Sequence, residues 1–244
     1  MLKGQGLVKT INFSNPKYIG DPINAVKIFN DKEVHELVFL DITASIEKRS
    51  LRLDYISDIA SECFMPLGYG GGIRTVKQAE DIFNSGVEKL ILNSYAIENP
   101  SFIHELADLF GSQSIVVSID VKKNFSGNYQ TYTHSGTTET RWDPVRWAQE
   151  AERLGAGEIF LNSIDRDGIM KGYDIPLIKA VSESVSIPVV ACGGAGTVKD
   201  FGRAVQDGGA SAVAAGSMFV YYGKHRAVLI NFPGDEELKS AGLK

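Results

Sequence analysis

"GGIRTVK" at residues 71–77 returns as "GGAGTVK" at 193–199, a shift of 122 residues. The same shift carries Asp21-Pro22 onto Asp143-Pro144, Glu36 onto Glu158, Pro66 onto Pro188 and Gly86 onto Gly208. It also lays "KLILNSYA" (89–96) on "SAVAAGSM" (211–218). One offset held over most of a chain marks a duplicated structural unit. Around it, short apolar runs alternate with amphipathic helical stretches. The runs are "ELVFLD" (36–41), "KLILN" (89–93), "IVVSID" (115–120), "EIFLNS" (158–163), "PVVAC" (188–192) and "SAVAAG" (211–216). Such nearly continuous apolar segments suit parallel strands covered by helices on both faces. Two equivalent half-units then close into an eight-stranded α/β barrel, a TIM-type (βα)8 fold, because a doubly wound open sheet has no reason to repeat.

The helix signals agree. Asp21-Pro22, Asn99-Pro100 and Asp143-Pro144 each place a capping residue before a proline at the first helical position. Thr75 caps "VKQAEDIFNSG", with Val76, Ala79, Ile82 and Phe83 on one stripe and Gly86 as the stop. No linker or low-complexity stretch divides residues 1–244, which read as a single domain.

Composition excludes several function classes. The chain has 244 residues, a net charge of −5 and no basic run, which argues against nucleic acid as a partner. No apolar stretch reaches membrane-spanning length and no signal-peptide pattern opens the chain, so a cytoplasmic protein with no membrane partner is expected. Cys63 and Cys192 form no metal or redox spacing and His35, His104, His134 and His225 are scattered, so neither a metal nor another cofactor is expected.

The glycines follow the third and seventh strands, at the barrel end where such folds build their sites. Gly71 and Gly72 with Asn93 and Ser94 would form one cup of backbone amides. Gly193 and Gly194 with Gly216 and Ser217 would form the other. Such cups, near helix N-termini, bind phosphate without needing Lys or Arg. Tight βα turns alone would also use these glycines. The twin arrangement, with a serine after each following strand, favours phosphates on opposite sides of the mouth.

The stretches "GDPINAVKIFN", "ELVFLDITAS", "GGGIRT", "FGSQSIVVSIDVKK", "LGAGEIFLNSIDRDG", "GYD" and "IPVVACGGAG" span nearly the whole chain. In them it resembles the cyclase subunit of imidazole glycerol phosphate synthase. That resemblance implies a glutamine amidotransferase (glutaminase) subunit as heterodimer partner, feeding ammonia through the barrel. It implies a bis-phosphorylated ribotide as substrate, converted to imidazole glycerol phosphate and an aminoimidazole carboxamide ribotide. Asp120 matches the catalytic aspartate, and a carboxyl in a closed mouth can be raised in pKa enough to act as a general acid. Asp41, Asp167 and Gly168 fall in further mouth motifs, and Lys9 matches a substrate-holding loop lysine. Asn162 and Ser163 stand where a small hydroxyl pair is usual, and Ile169 where threonine is. Cys192 reads as a barrel filler.

Glu36, Lys89 and Glu158 match a charged ring at the barrel floor, implying an ammonia gate. Solvated charges at strand starts would look the same in sequence. Strand alternation sets Glu36 and Asp41 on opposite faces, so one of the two needs a bulge to point inward.

The family's first strand, ending in a second catalytic aspartate, is missing, since moving Asp120 back by 122 residues lands before Met1. Seven strands are countable, and an upstream extension of roughly ten residues, about one strand with its lead-in, is expected. The tail "GKHRAVLINFP", with "GLVKTINF" and "GYGGGI", looks more like a paralogous branch that passes ammonia to a separate enzyme amidating a bacterial surface-glycan sugar. A sister barrel isomerase shares the two cups but needs no glutaminase. Glu36, Lys89 and Glu158 therefore argue against it.

Overall fold

The computed structural model describes residues 1–243. The chain opens with β1 (Leu2–Lys3) and a hairpin of β2 (Gly6–Ile11) and β3 (Ser14–Gly20). The first half follows as α1 (Pro22–Asp31), β4 (Leu37–Leu40), α2 (Ala44–Glu47), α3 (Leu53–Ser61), β5 (Leu67–Gly70) and α4 (Val76–Asn84). It ends with β6 (Lys89–Leu92), α5 (Ser94–Glu98) and α6 (Ser101–Phe110). The second half begins with β7 (Ile115–Lys123), β8 (Tyr129–Thr133), β9 (Thr138–Glu139), α7 (Pro144–Arg153) and β10 (Glu158–Ser163). It continues through α8 (Ile175–Ser182), β11 (Val189–Cys192), α9 (Val198–Gln206), β12 (Ala212–Val213) and α10 (Ser217–Val220). The tail is a small hairpin, β13 (Tyr221–Tyr222) and β14 (Ala227–Val228), and α11 (Asp235–Ser240).

Seven strands pair in parallel in the order β4-β5-β6-β7-β10-β11-β12, and Leu2 lies in parallel register with Asp41 at the β4 edge. Val38 and Leu40 of β4 pack into one small cluster with Ile91, Val116, Phe160, Val190, Cys192 and Ala214. Side chains from β4 and from β11 can share a cluster only where the sheet is rolled, which makes it a TIM-type barrel. The larger core lies outside the sheet, where Val117, Ile119 and Leu161 meet helix residues such as Phe102, Leu106 and Trp147. Cys192 fills the lumen, and burial pushes its thiol up to about 12, so it is an unreactive filler.

The 122-residue repeat is visible in the caps. Thr75 with Gln78 and Thr197 with Asp200 both close capping boxes. Asp21 accepts from the Asn24 N–H, and Asp143 from those of Val145 and Arg146, each before a proline. Asn99 behaves differently: its Oδ1 accepts from Ser101 Oγ at 2.7 Å rather than from a helix amide, and α6 begins at Ser101.

β12 is shorter than the 211–216 run suggests, because alanine and glycine fit a pleated surface poorly. The ladder goes on only as the Ala214 N–H donating to the Ala191 carbonyl at 2.8 Å. The anticipated conflict between Glu36 and Asp41 does not arise, since both lie outside β4. Glu36 keeps the inward register of Val38 and Leu40. Asp41 turns into the next loop, accepting from the Thr43 and Ala44 N–H groups, each at 3.2 Å. In the tail, Phe232 packs against Phe219 at 5.1 Å and against His35 at 5.8 Å, tying the end of the second half to the start of the first.

Candidate active site

Asp120 takes its place from alternation along β7, where Val116, Ser118 and Asp120 face the lumen while Ile115, Val117 and Ile119 face the helices. Its register partner on β10 is Asn162. Asn162 Nδ2 donates to Asp120 Oδ1 at 3.4 Å, and Asn93 Nδ2 to Oδ2 at 3.1 Å. Burial pushes the Asp120 carboxyl up to about 7; the Asn162 amide opposes this and the Asp167 carboxylate adds to it. The carboxyl therefore holds its proton to far higher pH than an exposed aspartate, the direction a general acid needs. Asn162 Oδ1 is buried with no partner among the described residues.

The first cup and Asp120 share one cavity, lined by Gly71, Gly72, Asn93, Ser94 and Asp41. Gly71 and Gly72 have φ of +122° and +75°. A Cβ on Gly71 would come within 2.4 Å of the Asp41 carbonyl, so this glycine is required by the turn itself. Ser94 Oγ accepts the His134 N–H at 3.0 Å and donates to Asn93 Oδ1 at 3.2 Å. Asp41 is neutralised by Arg49 at 2.7 Å.

The second cup lies outside that cavity. Gly193 and Gly194 have φ of +87° and +116°, and a Cβ on Gly194 would sit 2.3 Å from the Gly172 carbonyl. Ser217 Oγ is buried without a partner among the described residues. A Cβ on Gly216 would lie 2.8 Å from Lys9 Nζ, so the ammonium rests on this cup. Lys9 also reaches Asp167 at 3.4 Å, and Asp167 accepts from Thr10 Oγ1 at 2.5 Å. Gly168 (φ +73°) packs under Thr10 and accepts at its carbonyl from Arg226. Ser163 does not join its neighbour Asn162 at the mouth. On the outward face of β10, it contributes its carbonyl, which accepts the Asp167 N–H at 3.0 Å.

At the floor, Lys89 Nζ reaches Glu36 at 2.8 Å and Glu158 at 3.1 Å. Burial works against its charge, but the two carboxylates outweigh burial and hold the Lys89 pKa above its ordinary value. Burial raises the Glu158 carboxyl, against the pull of Lys89.

Several contributors escape the sequence reading: Thr10, Ser45 (which accepts the Gly72 N–H at 3.3 Å), Arg49, His134, and Ser135, whose hydroxyl donates to the Ile42 carbonyl at 2.7 Å. His134 and Ser135 belong to the β8–β9 turn, which folds over the first cup. The alternating "YQTYTH" after "FSGN" is the signal that could have found it.

Fold and site together define a TIM-type barrel with buried acids at its mouth, Asp120 among them, and two glycine turns beside them. A family model described as "Histidine biosynthesis protein" matches residues 2–226. The chain belongs to that family and, within it, to the cyclase subunits of imidazole glycerol phosphate synthase. It is 51% identical over 238 residues to the "Putative imidazole glycerol phosphate synthase subunit hisF2" of Pseudomonas aeruginosa, covering 98% of this chain and 95% of that one. It is 46% identical over 224 residues to the "Imidazole glycerol phosphate synthase subunit HisF" of Pyrococcus furiosus, covering 92% and 88%. A relative of the same name in Alkaliphilus metalliredigens is 46% identical over 215 residues, covering 88% and 85%. No helix among the described residues is long and apolar enough to cross a membrane.

Proposed function

We propose that this chain, acting in the cytoplasm as one barrel over residues 1–244, is the ammonia-consuming cyclase subunit of a glutamine amidotransferase complex. A glutaminase docks on the floor around Glu88, Lys89 and Glu158, and ammonia passes the Lys89 gate into the lumen. The two cups hold the phosphates of the ribotide, and ammonia drives cleavage and ring closure at the mouth to give imidazole glycerol phosphate and the carboxamide ribotide. Asp120 supplies the proton. The observation that carries this reading is Asp120 itself: buried, held by two amides and raised to about 7.

One observation favours a second reading, in which the barrel hands ammonia to a separate sugar-amidating enzyme. The carboxylates lining the mouth cavity are Asp41 and Asp120, and Arg49 neutralises Asp41. Among the described residues lining the cavity, Asp120 has no second carboxylate free of a counter-ion beside it. Turnover of the ribotide with excess ammonium and no glutaminase separates the two. The cyclase reading expects turnover that Asp120→Asn lowers by about 10²–10⁴-fold; an inactive wild type that still binds phosphate establishes the conduit.

The same variant has a stability signature. A folded carboxyl at about 7, against 3.8 for an unperturbed aspartate, penalises the folded state as it ionises. The penalty is absent below about pH 4 and full above about pH 7, and reaches roughly 4 kcal/mol at most. Asp120→Asn should therefore gain stability over wild type as pH rises from about 4 to 8. A pH-independent difference in urea melts would show that Asp120 ionises freely. At the floor, Lys89→Glu should lower glutamine-dependent turnover more than ammonium-dependent turnover. Equal losses would remove the gate.

A further inference from the structure

A cleft of about 220 Å³ lies between the β2–β3 hairpin and the tail hairpin β13–β14, beyond the second cup. Its wall carries Lys9, Lys17 and Arg226, together with Asn15 and Tyr221, and contains no carboxylate. Lys9 and Lys17 are direct partners across the antiparallel hairpin. Like charges placed opposite each other weaken a sheet, so folding alone gives no reason for the pair. The Lys9 side chain is only 10% exposed, and its partner among the described residues is Asp167, at 3.4 Å. An ammonium has three donors, and a nearly buried one with a single long contact is under-satisfied. Arg226 is fixed from two sides, donating to the Gly168 carbonyl and lying 5.5 Å over the Tyr221 ring. Its other N–H groups remain for a ligand.

We propose that this cleft is a third anion site, separate from the two cups, that takes a dianionic phosphate group. The charges support phosphate over a carboxylate. Three cations line the cleft and one is offset by Asp167, which leaves two positive charges. A phosphate monoester carries about −1.5 to −2 at neutral pH and matches them, whereas a monocarboxylate leaves one unanswered. The cups differ in kind: the first presents backbone amides, and the second adds the Ser217 hydroxyl and shares only Lys9 with the cleft, without Lys17 or Arg226. An anion here would tie the rim hairpin, through Lys9 and Lys17, to the tail, through Arg226. The ligand would thereby fix the lysine that rests on Gly216. The site is independent of whether the barrel cyclises or only conducts.

The test is equilibrium dialysis of the full chain against inorganic phosphate. Lys17→Gln/Arg226→Gln should bind one phosphate fewer per chain than wild type, and Lys17→Arg/Arg226→Lys should keep the wild-type number. Lys17 is exposed, so Lys17→Gln alone should leave the fold intact and weaken this site by about threefold to tenfold, more at low salt. Identical stoichiometry and affinity in wild type, Lys17→Gln and the neutral double variant would overturn the proposal. So would acetate displacing this phosphate at equal concentration. Failure of the cups reads differently: wild type would then bind one phosphate and the neutral double variant none.

Discussion

The two cups are built on one backbone plan and finished in different ways. Each is a left-handed glycine pair followed by a capping-box helix, Thr75 with Gln78 in one half and Thr197 with Asp200 in the other. The first is roofed: the β8–β9 turn donates the His134 N–H to Ser94 and the Ser135 hydroxyl to the Ile42 carbonyl. The second keeps Ser217 Oγ unpartnered and has the Lys9 ammonium resting on Gly216. The residues that make the difference, Lys9, His134 and Ser135, come from the hairpins outside the repeated βα units. Repetition thus supplies the amide geometry, and the added hairpins supply charge and closure.

The largest test of this contrast is steric. Gly194→Ala puts a methyl group 2.3 Å from the Gly172 carbonyl at φ +116°, whereas Gly72→Ala meets only the Ala44 Cβ at 3.0 Å at φ +75°. Gly194→Ala should cost at least about 3 kcal/mol and Gly72→Ala about 1–2 kcal/mol in urea unfolding. Equal losses would mean that the two turns are alike after all. A smaller test uses the serines. Ser94→Ala deprives the His134 N–H of its acceptor and should cost about 1 kcal/mol. Ser217→Ala breaks no existing bond, so it should leave stability unchanged while weakening inorganic phosphate binding by about threefold to tenfold. A destabilised Ser217→Ala with full phosphate binding would reverse the assignment of the two roles.

Features that repeat along the chain or match a known motif were open to reading from sequence. The 122-residue shift pointed to the barrel, and family resemblance picked out Asp120, whose inward place alternation along β7 explains, as well as Glu36, Lys89 and Glu158, which do meet at the floor. Features that depend on a chain turning out of the barrel were not. Asp41 leaves the strand register to cap its own loop, and its counter-ion Arg49 lies in a stretch with no periodicity. Ser163 looks like a partner of Asn162 in sequence, yet adjacent strand residues face opposite ways. The β2–β3 and β8–β9 hairpins carry no buried apolar run to mark them, since β3 is mostly exposed and β8 is rich in Tyr, Thr and Gln.

The edge-on contact of Phe232 with His35 also has a meaning in time. Its two rings are 197 residues apart in sequence (232 against 35), while Leu2 and Asp41, paired just beyond the end of β4, are 39 apart. At about 5–20 residues per second of synthesis, roughly 10–40 s separate the emergence of His35 from that of its partner. During that interval the flank of β4 can gain its near neighbour and not its far one. A nascent chain halted after β12 but short of residue 232 would hold a barrel that is rolled but unlatched, exposed to whatever chaperone or neighbouring strand meets it first.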